Sequence, residues 1–302
     1  MLNIEVELIM EHLLKRNLSA VVMPNAPQPT EVVWGQKSWL WEKMCKMIPP
    51  HHTYIEGFAG AAWFMLNKPP SEYEIVNDIN KHLINMWMQI RDHPKELAEA
   101  CSMLPDSEEL YKRFENEAYS SSWNGGIDMA VAFLYLNAHS YSSLFTGQHG
   151  KGFKTDPLHQ KSWNEKVEML RNGTWDRIKN VMFTCRSIFE LLRENCDRDD
   201  VFIYLDPPYF DGGWKYAEIP GGKAWDMTDF VNLRKVVHSF KQAKVLISID
   251  DGEFFLGDGW KMIEVEKKKK LRAEAEIGRE CLVFNYDTGL EKATNTFDPM
   301  QF

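Results

Sequence analysis

The chain has 302 residues, of which 44% are hydrophobic and 13% aromatic, so it can bury a sizeable core and is not a disordered protein. We expect one large α/β domain, or one such domain with an inserted subdomain. The net charge of −9 argues against a small, uniformly basic nucleic-acid binder, although it is compatible with an enzyme that touches DNA through one local basic face.

Cysteine usage and hydropathy predict a soluble, intracellular protein. The five cysteines are odd in number and show no CxxC spacing, which favours reduced thiols in a cytosol over disulfides or a zinc site. No apolar run reaches the about 18 residues that a membrane helix needs. The acidic start of the chain does not resemble a signal peptide.

The first predicted elements are helices, a strand and a turn. Residues 1–22 have helical spacing of apolar side chains and precede three prolines, and residues 33–48 lead into a second helix. Residues 54–64 predict a strand, a glycine turn and a helix. Small residues in such a turn let a ligand approach backbone amides at the helix start, although Gly-x-x-Gly by itself is more often a plain tight turn.

A second strand, within residues 73–80, ends in the acid Asp78 about twenty residues after the glycine turn. An acid at this place can accept hydrogen bonds from ribose hydroxyls. The alternative is a helix N-cap, because Asp78 precedes an amphipathic helix. The glycine turn upstream favours the ribose role, and both roles stay open.

Residues 81–180 are predicted to be mainly helical and are too many for a crossover connection, so we expect an inserted subdomain. Residues 147–154 form a polar, basic, glycine-rich loop within it. Lys151 and Lys154 are candidates for contacts with phosphates, although solvated loops of this composition are common.

The central strand is predicted at residues 201–205, after a third strand and helix within residues 181–192. The run is apolar without alternation, which is typical of a strand covered on both faces. It must stop at Asp206 because Pro207 and Pro208 lack N–H donors and have fixed φ angles. Ligands bind at this carboxyl edge in open α/β sheets.

Asp206 and the carbonyl of Pro207 can both accept hydrogen bonds from one exocyclic amino group, and Tyr209 offers a ring face to a planar base. This corner therefore suits a nucleobase amine that attacks an electrophile. The alternative is a strand end followed by a Pro-Pro turn. A given four-residue string should arise by chance in roughly one in a thousand chains of this length, which favours the functional interpretation.

The remaining elements complete an α/β fold with a mostly parallel sheet. Residues 211–223 are predicted to be a lid over substrate or, equally, disordered surface. The elements that follow are a helix, a fifth strand and a closing strand pair, at residues 230–240, 244–250, 261–265 and 280–286. Between the closing strands lies the most basic run, whose Lys268, Lys269 and Lys270 are candidates for phosphate contact or for a solvated face.

Asp206-Pro207-Pro208-Tyr209 resembles the catalytic motif of the amino-group DNA methyltransferases. The order of donor loop, target domain and catalytic motif over residues 32–286 resembles the Dam-like D12 class of adenine-N6 enzymes, particularly its phage-type members. The resemblance implies a class I methyltransferase (Rossmann-like) fold with an antiparallel terminal strand pair. It further implies a catalytic domain of residues 1–80 and 181–302 and an inserted target-recognition subdomain of residues 81–180.

The resemblance implies S-adenosylmethionine as methyl donor, with S-adenosylhomocysteine as product, and no metal. The implied donor contacts are Trp34, Lys37, Glu56, Phe58, Gly60, Asp78, Ser187, Ile188 and Asp206. The chain departs from the family pattern at Gln36, Gly57, Ala61 and Ala62.

The activity implied is site-specific transfer of a methyl group to adenine N6 in duplex DNA, with the base flipped out of the stack. The implied partners are double-stranded DNA and a cognate restriction nuclease, with no membrane. A monomer or weak dimer in a bacterial or phage-infected cytoplasm is expected. Three alternatives stay open: a cytosine-N4 methyltransferase, whose motif commonly begins with serine; an RNA or protein-amide methyltransferase, whose motif usually begins with asparagine; and a binding protein with a decayed site, which should bind no donor.

Overall fold

The computed structural model describes residues 40–118, 125–140, 153–154, 158–173, 175–210, 223–268 and 277–290. The predicted helix of residues 1–22 and nearly all of the predicted lid of residues 211–223 lie outside these ranges. Among the described helices, none is both long and apolar enough to cross a membrane.

One mixed sheet of seven strands forms the centre of the described molecule, in the order β3-β2-β1-β4-β5-β7-β6. The strands are β1 (Thr53–Glu56), β2 (Tyr73–Asn77), β3 (Met182–Thr184), β4 (Val201–Leu205), β5 (Lys244–Ile249), β6 (Lys261–Lys268) and β7 (Ile277–Phe284). β1 to β5 pair in parallel, whereas β7 pairs antiparallel with both β5 and β6. This confirms the predicted fold class, including its antiparallel terminal pair.

Nine α-helices are described around the sheet. They are α1 (Trp41–Lys46), α2 (Trp63–Asn67), α3 (Lys81–Asp92), α4 (Pro94–Ser102), α5 (Glu108–Ala118), α6 (Ile127–His139), α7 (Leu158–Asn172), α8 (Ile188–Asn195) and α9 (Met227–His238). Short 3₁₀ helices lie at Trp175–Ile178 and Glu253–Phe255.

The central strand β4 is buried along its whole length. Because successive side chains of a strand point to opposite faces, its residues divide between two cores. Ile203 and Leu205 join the core that includes α8 and α9, whereas Phe202 and Tyr204 join the core that includes α2 and α3. Coverage on both faces explains why the strand lacks polar alternation.

Every described element between β2 and β3 is helical. At its start, α3 packs on the sheet, with the ring of Trp87 parallel to that of Phe183 in β3 at a centroid distance of 6.2 Å. The next helices pack around α6, which is apolar all round and buried from Met129 to His139. The division at residue 81 stays a prediction, because α3 contacts both the sheet and α6.

Candidate active site

The segments that follow β1, β2, β3 and β4 lie at the same edge of the sheet, because these strands are parallel and in register. They carry the glycine turn of residues 57–62, Asp78, residues 185–187 and the Asp206–Tyr209 motif. The structure therefore brings together the sequence-predicted residues of these four segments.

The glycine turn is anchored to the two neighbouring strands. Ala59 N donates to Asn77 O in β2 at 2.8 Å, and Gly57 N donates to Tyr204 O in β4 at 3.0 Å. Gly60 has a φ of +45°, and a Cβ atom built there would meet nothing within 4 Å. This glycine therefore has the left-handed backbone and the open space that a ligand needs to approach the main chain.

Gly57, which replaces the family's proline, is fitted to its surroundings. A Cβ atom there would lie 2.5 Å from Ile188 Cδ1 and 2.6 Å from Leu205 Cδ2. Its N–H group also makes the bond to Tyr204 O, which a proline could not donate. The missing side chain at Gly57 thus allows close packing. Ile188, which was predicted to contact the methyl donor, lies at the base of the turn.

Asp78 joins the second strand to the glycine turn. Its Oδ2 accepts from Gly60 N at 3.2 Å and its Oδ1 accepts from Asn80 N at 2.9 Å. The N-cap alternative is wrong for this residue, because Asn80 caps α3 by accepting from the backbone of His82 and Leu83. Burial raises the pKa of Asp78.

Asn77 ties three strand ends together, a role that sequence analysis missed. Its Nδ2 donates to Gly57 O and to Arg186 O, both at 3.2 Å. Its Oδ1 accepts from Arg186 N at 3.0 Å and from the Thr184 hydroxyl at 2.8 Å. These four bonds use the full capacity of a buried amide. The only signal in the sequence was an amide at a strand end.

The helical side of the site also holds the glycine turn. The indole Nε1 of Trp87, in α3, donates to Gly60 O at 3.0 Å, and the Trp87 side chain is fully buried. The turn is therefore fixed by contacts from β2, β4 and α3.

Glu56, which was predicted to contact the methyl donor, lies inside the protein, with 2% of its surface exposed. Its Oε2 accepts from the Tyr54 hydroxyl at 2.7 Å and from Met65 N, in α2, at 2.8 Å. Burial raises the pKa of Glu56 to about 8, and the nearby Asp206 carboxylate acts in the same direction. These contacts link β1 to α2, and a direct contact with the donor stays a prediction.

Lys68, Glu74 and Arg177 form a buried charge cluster behind the glycine turn. Lys68 Nζ donates to Glu74 Oε1 at 2.6 Å and lies 4.3 Å from the centroid of the Tyr54 ring. Arg177 donates to both oxygens of Glu74 and to Met65 O. Together with the bonds of Glu56, these contacts close a circuit between β1, α2, β2 and the 3₁₀ turn that leads to β3.

The cluster sets two cations, Lys68 and Arg177, against the single carboxylate of Glu74. Burial lowers the pKa of Lys68 to about 8. Burial also opposes ionisation of Glu74, but Arg177 and Lys68 outweigh it and hold the pKa of that carboxyl below its usual value. Sequence analysis missed the cluster; its signal was an acid at the second position of a short strand.

The Asp206–Tyr209 motif forms a rigid corner after β4. Pro207 and Pro208 are buried, while Asp206 and Tyr209 are half-buried. The hydroxyl of Tyr209 donates to the carboxylate of Glu280 in β7, with distances of 2.9 Å to Oε2 and 3.1 Å to Oε1. The Tyr209 side chain is therefore restrained at its backbone end by the buried prolines and at its hydroxyl end by Glu280.

Aromatic rings lie near Phe58 and Ser187, two residues that were predicted to contact the methyl donor. Phe58 meets the ring of Trp225 edge-on at 5.2 Å, and Trp225 is parallel to Phe189 at 6.0 Å. Ser187 is the N-cap residue of α8, and no side-chain cap bond accompanies it. Trp225 was not predicted.

The predicted phosphate contacts are only partly described. Lys154 Nζ donates to Ala138 O near the end of α6, and Lys268 ends β6. Lys151, Lys269 and Lys270 lie outside the described ranges, as do Trp34 and Lys37, which were predicted to contact the methyl donor. In the described part of the chain, no group of three or more His, Cys, Asp or Glu residues could hold a metal ion.

A family model for the D12 class N6 adenine-specific DNA methyltransferases matches residues 34–271. The DNA adenine methylase of Escherichia coli K12 is 27% identical over 183 residues, which cover 58% of this chain and 62% of that protein. The chain therefore spans less than two thirds of that relative. The Type II methyltransferase M.MjaIII of Methanocaldococcus jannaschii is 24% identical over 257 residues, which cover 77% of this chain and 88% of that protein.

A solved S-adenosylmethionine-dependent methyltransferase from Agrobacterium tumefaciens aligns with 61% of this chain and 63% of that chain, at 11% identity and a TM-score of 0.25. This superposition is too loose to bear on the assignment, which comes from the family model.

Proposed function

This chain belongs to the D12 class N6 adenine-specific DNA methyltransferase family, and we propose that it transfers a methyl group from S-adenosylmethionine to adenine N6 in duplex DNA. The observation that carries the proposal is the position of Asp206–Tyr209. This motif follows the central strand, at the sheet edge that also holds the glycine turn and Asp78.

The edge of the sheet offers groups that fit S-adenosylmethionine. Gly60 presents open main chain to the methionine part, and Asp78 accepts from the ribose hydroxyls. Ser187 and Ile188 lie on the side proposed for the adenine ring. When bound, S-adenosylmethionine supplies an electrophilic methyl group on its sulfonium sulfur.

The corner after β4 is proposed to hold the target amine. Asp206 and the Pro207 carbonyl accept hydrogen bonds from the amino group, so that its lone pair leaves conjugation, while Tyr209 stacks on the base. A nitrogen–carbon bond forms as the carbon–sulfur bond breaks, and Asp206 is proposed to accept the proton that leaves the nitrogen. A base inside a duplex must first leave the stack, which costs a few kcal/mol.

The helical segment of residues 81–180 is proposed to contact the DNA target. Lys151, Lys154 and Lys268 to Lys270 are proposed to meet phosphates, which predicts binding that weakens as salt rises. The nuclease partner and the monomeric or weakly dimeric state stay predictions of the family resemblance.

The first experiment is incorporation of labelled methyl from S-adenosylmethionine into unmethylated DNA, followed by nucleoside analysis. We expect N6-methyladenine from the wild type and none from Asp206→Ala. Asp199→Ala is a matched control, because this exposed acid lies at the opposite end of the same strand. Label in N4-methylcytosine would select the cytosine alternative, and absence of both donor binding and label would select the decayed site.

A further inference from the structure

We propose that Glu280 is a positioning residue for methyl transfer, acting through Tyr209 and itself held by Ser248. The proposal rests on the proposed function, because it assigns the Tyr209 ring to the target base. It concerns a carboxylate that lies 71 residues further along the chain from the motif it serves.

The contacts form a chain of hydrogen bonds across the sheet. The Tyr209 hydroxyl lies 2.9 Å and 3.1 Å from the two oxygens of Glu280. The Ser248 hydroxyl donates to Glu280 Oε1 at 2.6 Å. Ser248 in β5 is fully buried, and Glu280 in β7 is 5% exposed. Because Ser248 and Glu280 both belong to strands, the Glu280 carboxylate is a fixed acceptor for the Tyr209 hydroxyl.

This arrangement orients the Tyr209 ring before a base arrives. The two buried prolines limit the backbone at one end of the side chain, and the carboxylate holds the hydroxyl at the other end. A stacking surface that is already ordered loses less conformational entropy when a ligand binds, so more of the stacking energy remains to hold the base.

Substitution separates a hydrogen-bonding role from a general requirement for charge. Glu280→Gln keeps an oxygen that can accept from Tyr209 and Ser248, whereas Glu280→Ala removes the acceptor. Tyr209→Phe keeps the ring and removes the donor. If positioning is the role, the alanine and phenylalanine variants should resemble each other, and their effects should not add in the double variant.

Methyl transfer to DNA provides the first readout. We expect kcat to fall roughly ten- to hundred-fold in Glu280→Ala and in Tyr209→Phe, with unchanged S-adenosylmethionine affinity and with much of the loss recovered in Glu280→Gln. The emission of 2-aminopurine at the target position should rise less with the two impaired variants. Tyr286→Phe is the matched control, because that hydroxyl donates to Met47 O at 2.8 Å, outside the proposed site.

The second readout needs no activity. In ring-labelled tyrosine NMR of the full chain, we expect the Tyr209 signal to report a restrained ring in the wild type, faster flipping in Glu280→Ala and restraint again in Glu280→Gln. Wild-type kcat in both impaired variants, or unchanged ring dynamics in Glu280→Ala, would overturn the positioning role. Absence of methyl transfer by the wild type would overturn the proposed function, and the ring dynamics would then decide whether Glu280 positions Tyr209.

Discussion

The buried carboxyl of Glu56 makes stability depend on pH in a direction opposite to that of a salt-bridged acid. Burial raises its pKa from 4.5 to about 8, so the folded protein holds a proton that the unfolded chain releases. This contribution is fully present below pH 4.5 and is lost progressively as pH rises from 4.5 through 8. At 1.36 kcal/mol per unit, the stability lost is about 3 kcal/mol by pH 7 and about 5 kcal/mol by pH 9.

The substitution Glu56→Gln tests this pH-dependent contribution to stability. The glutamine oxygen can accept from the Tyr54 hydroxyl and Met65 N, as Glu56 does, but it never ionises. We expect the variant to match the wild type near pH 5 and to exceed its free energy of unfolding by several kcal/mol at pH 9. Lys68 titrates with the opposite sign above pH 8 in both proteins, and because it interacts electrostatically with Glu56 its effect cancels only in part; burial of Glu56, the largest cause of its raised pKa, still sets the sign of the difference.

The assay is urea unfolding followed by tryptophan fluorescence between pH 5 and pH 9. Glu72→Gln serves as control, because this carboxyl is exposed and its hydrogen bond to His52 lowers its pKa. The reasoning is refuted if the difference between Glu56→Gln and wild type does not change with pH, or if the variant is the less stable protein at pH 9.

Two further predictions concern neighbouring residues. Asp78→Ala should lower the affinity for S-adenosylmethionine about tenfold or more. Asn80→Ala should instead cost about 1 kcal/mol of stability, because a helix cap is lost, and should leave that affinity intact. Calorimetric titration measures the affinity and thermal melting the stability; equal affinities of the two variants for S-adenosylmethionine would contradict the ribose role. Arg177→Met should lower the free energy of unfolding by about 3 kcal/mol, because it leaves the buried Glu74 with Lys68 as partner and without the partly buried Arg177. A melting temperature equal to that of the wild type would contradict this.

The parts of the site that can be predicted from the sequence are those determined by residues that are adjacent in the chain. The apolar run of β4 and its stop at Asp206 follow from strand burial and proline chemistry, and the structure has both. The same holds for the glycine turn after β1 and for the acid after β2. In each case the physical cause lies within a few residues of its effect.

The parts that sequence analysis missed are contacts between distant positions. Glu74 and Arg177 are 103 residues apart, and Tyr209 and Glu280 are 71 apart. Neither spacing has a local signature, because only the fold decides which buried polar groups meet. The N-cap role, which the sequence left open as the alternative for Asp78, is taken by Asn80, because the backbone path decides which of the two residues lies at the helix start.

The buried circuit around Glu56 has a consequence for building chimeric enzymes. Arg177 lies near the end of the helical segment of residues 81–180, yet its contacts are with α2 and β2, before that segment. A graft that exchanged residues 81–180 as one cassette would remove Arg177 and break the circuit. Junctions after Asp92 and before Trp175 would leave Arg177, and α3 with Trp87, in the recipient, so that the contacts of both residues with the sheet and the glycine turn are kept when the helices between are exchanged.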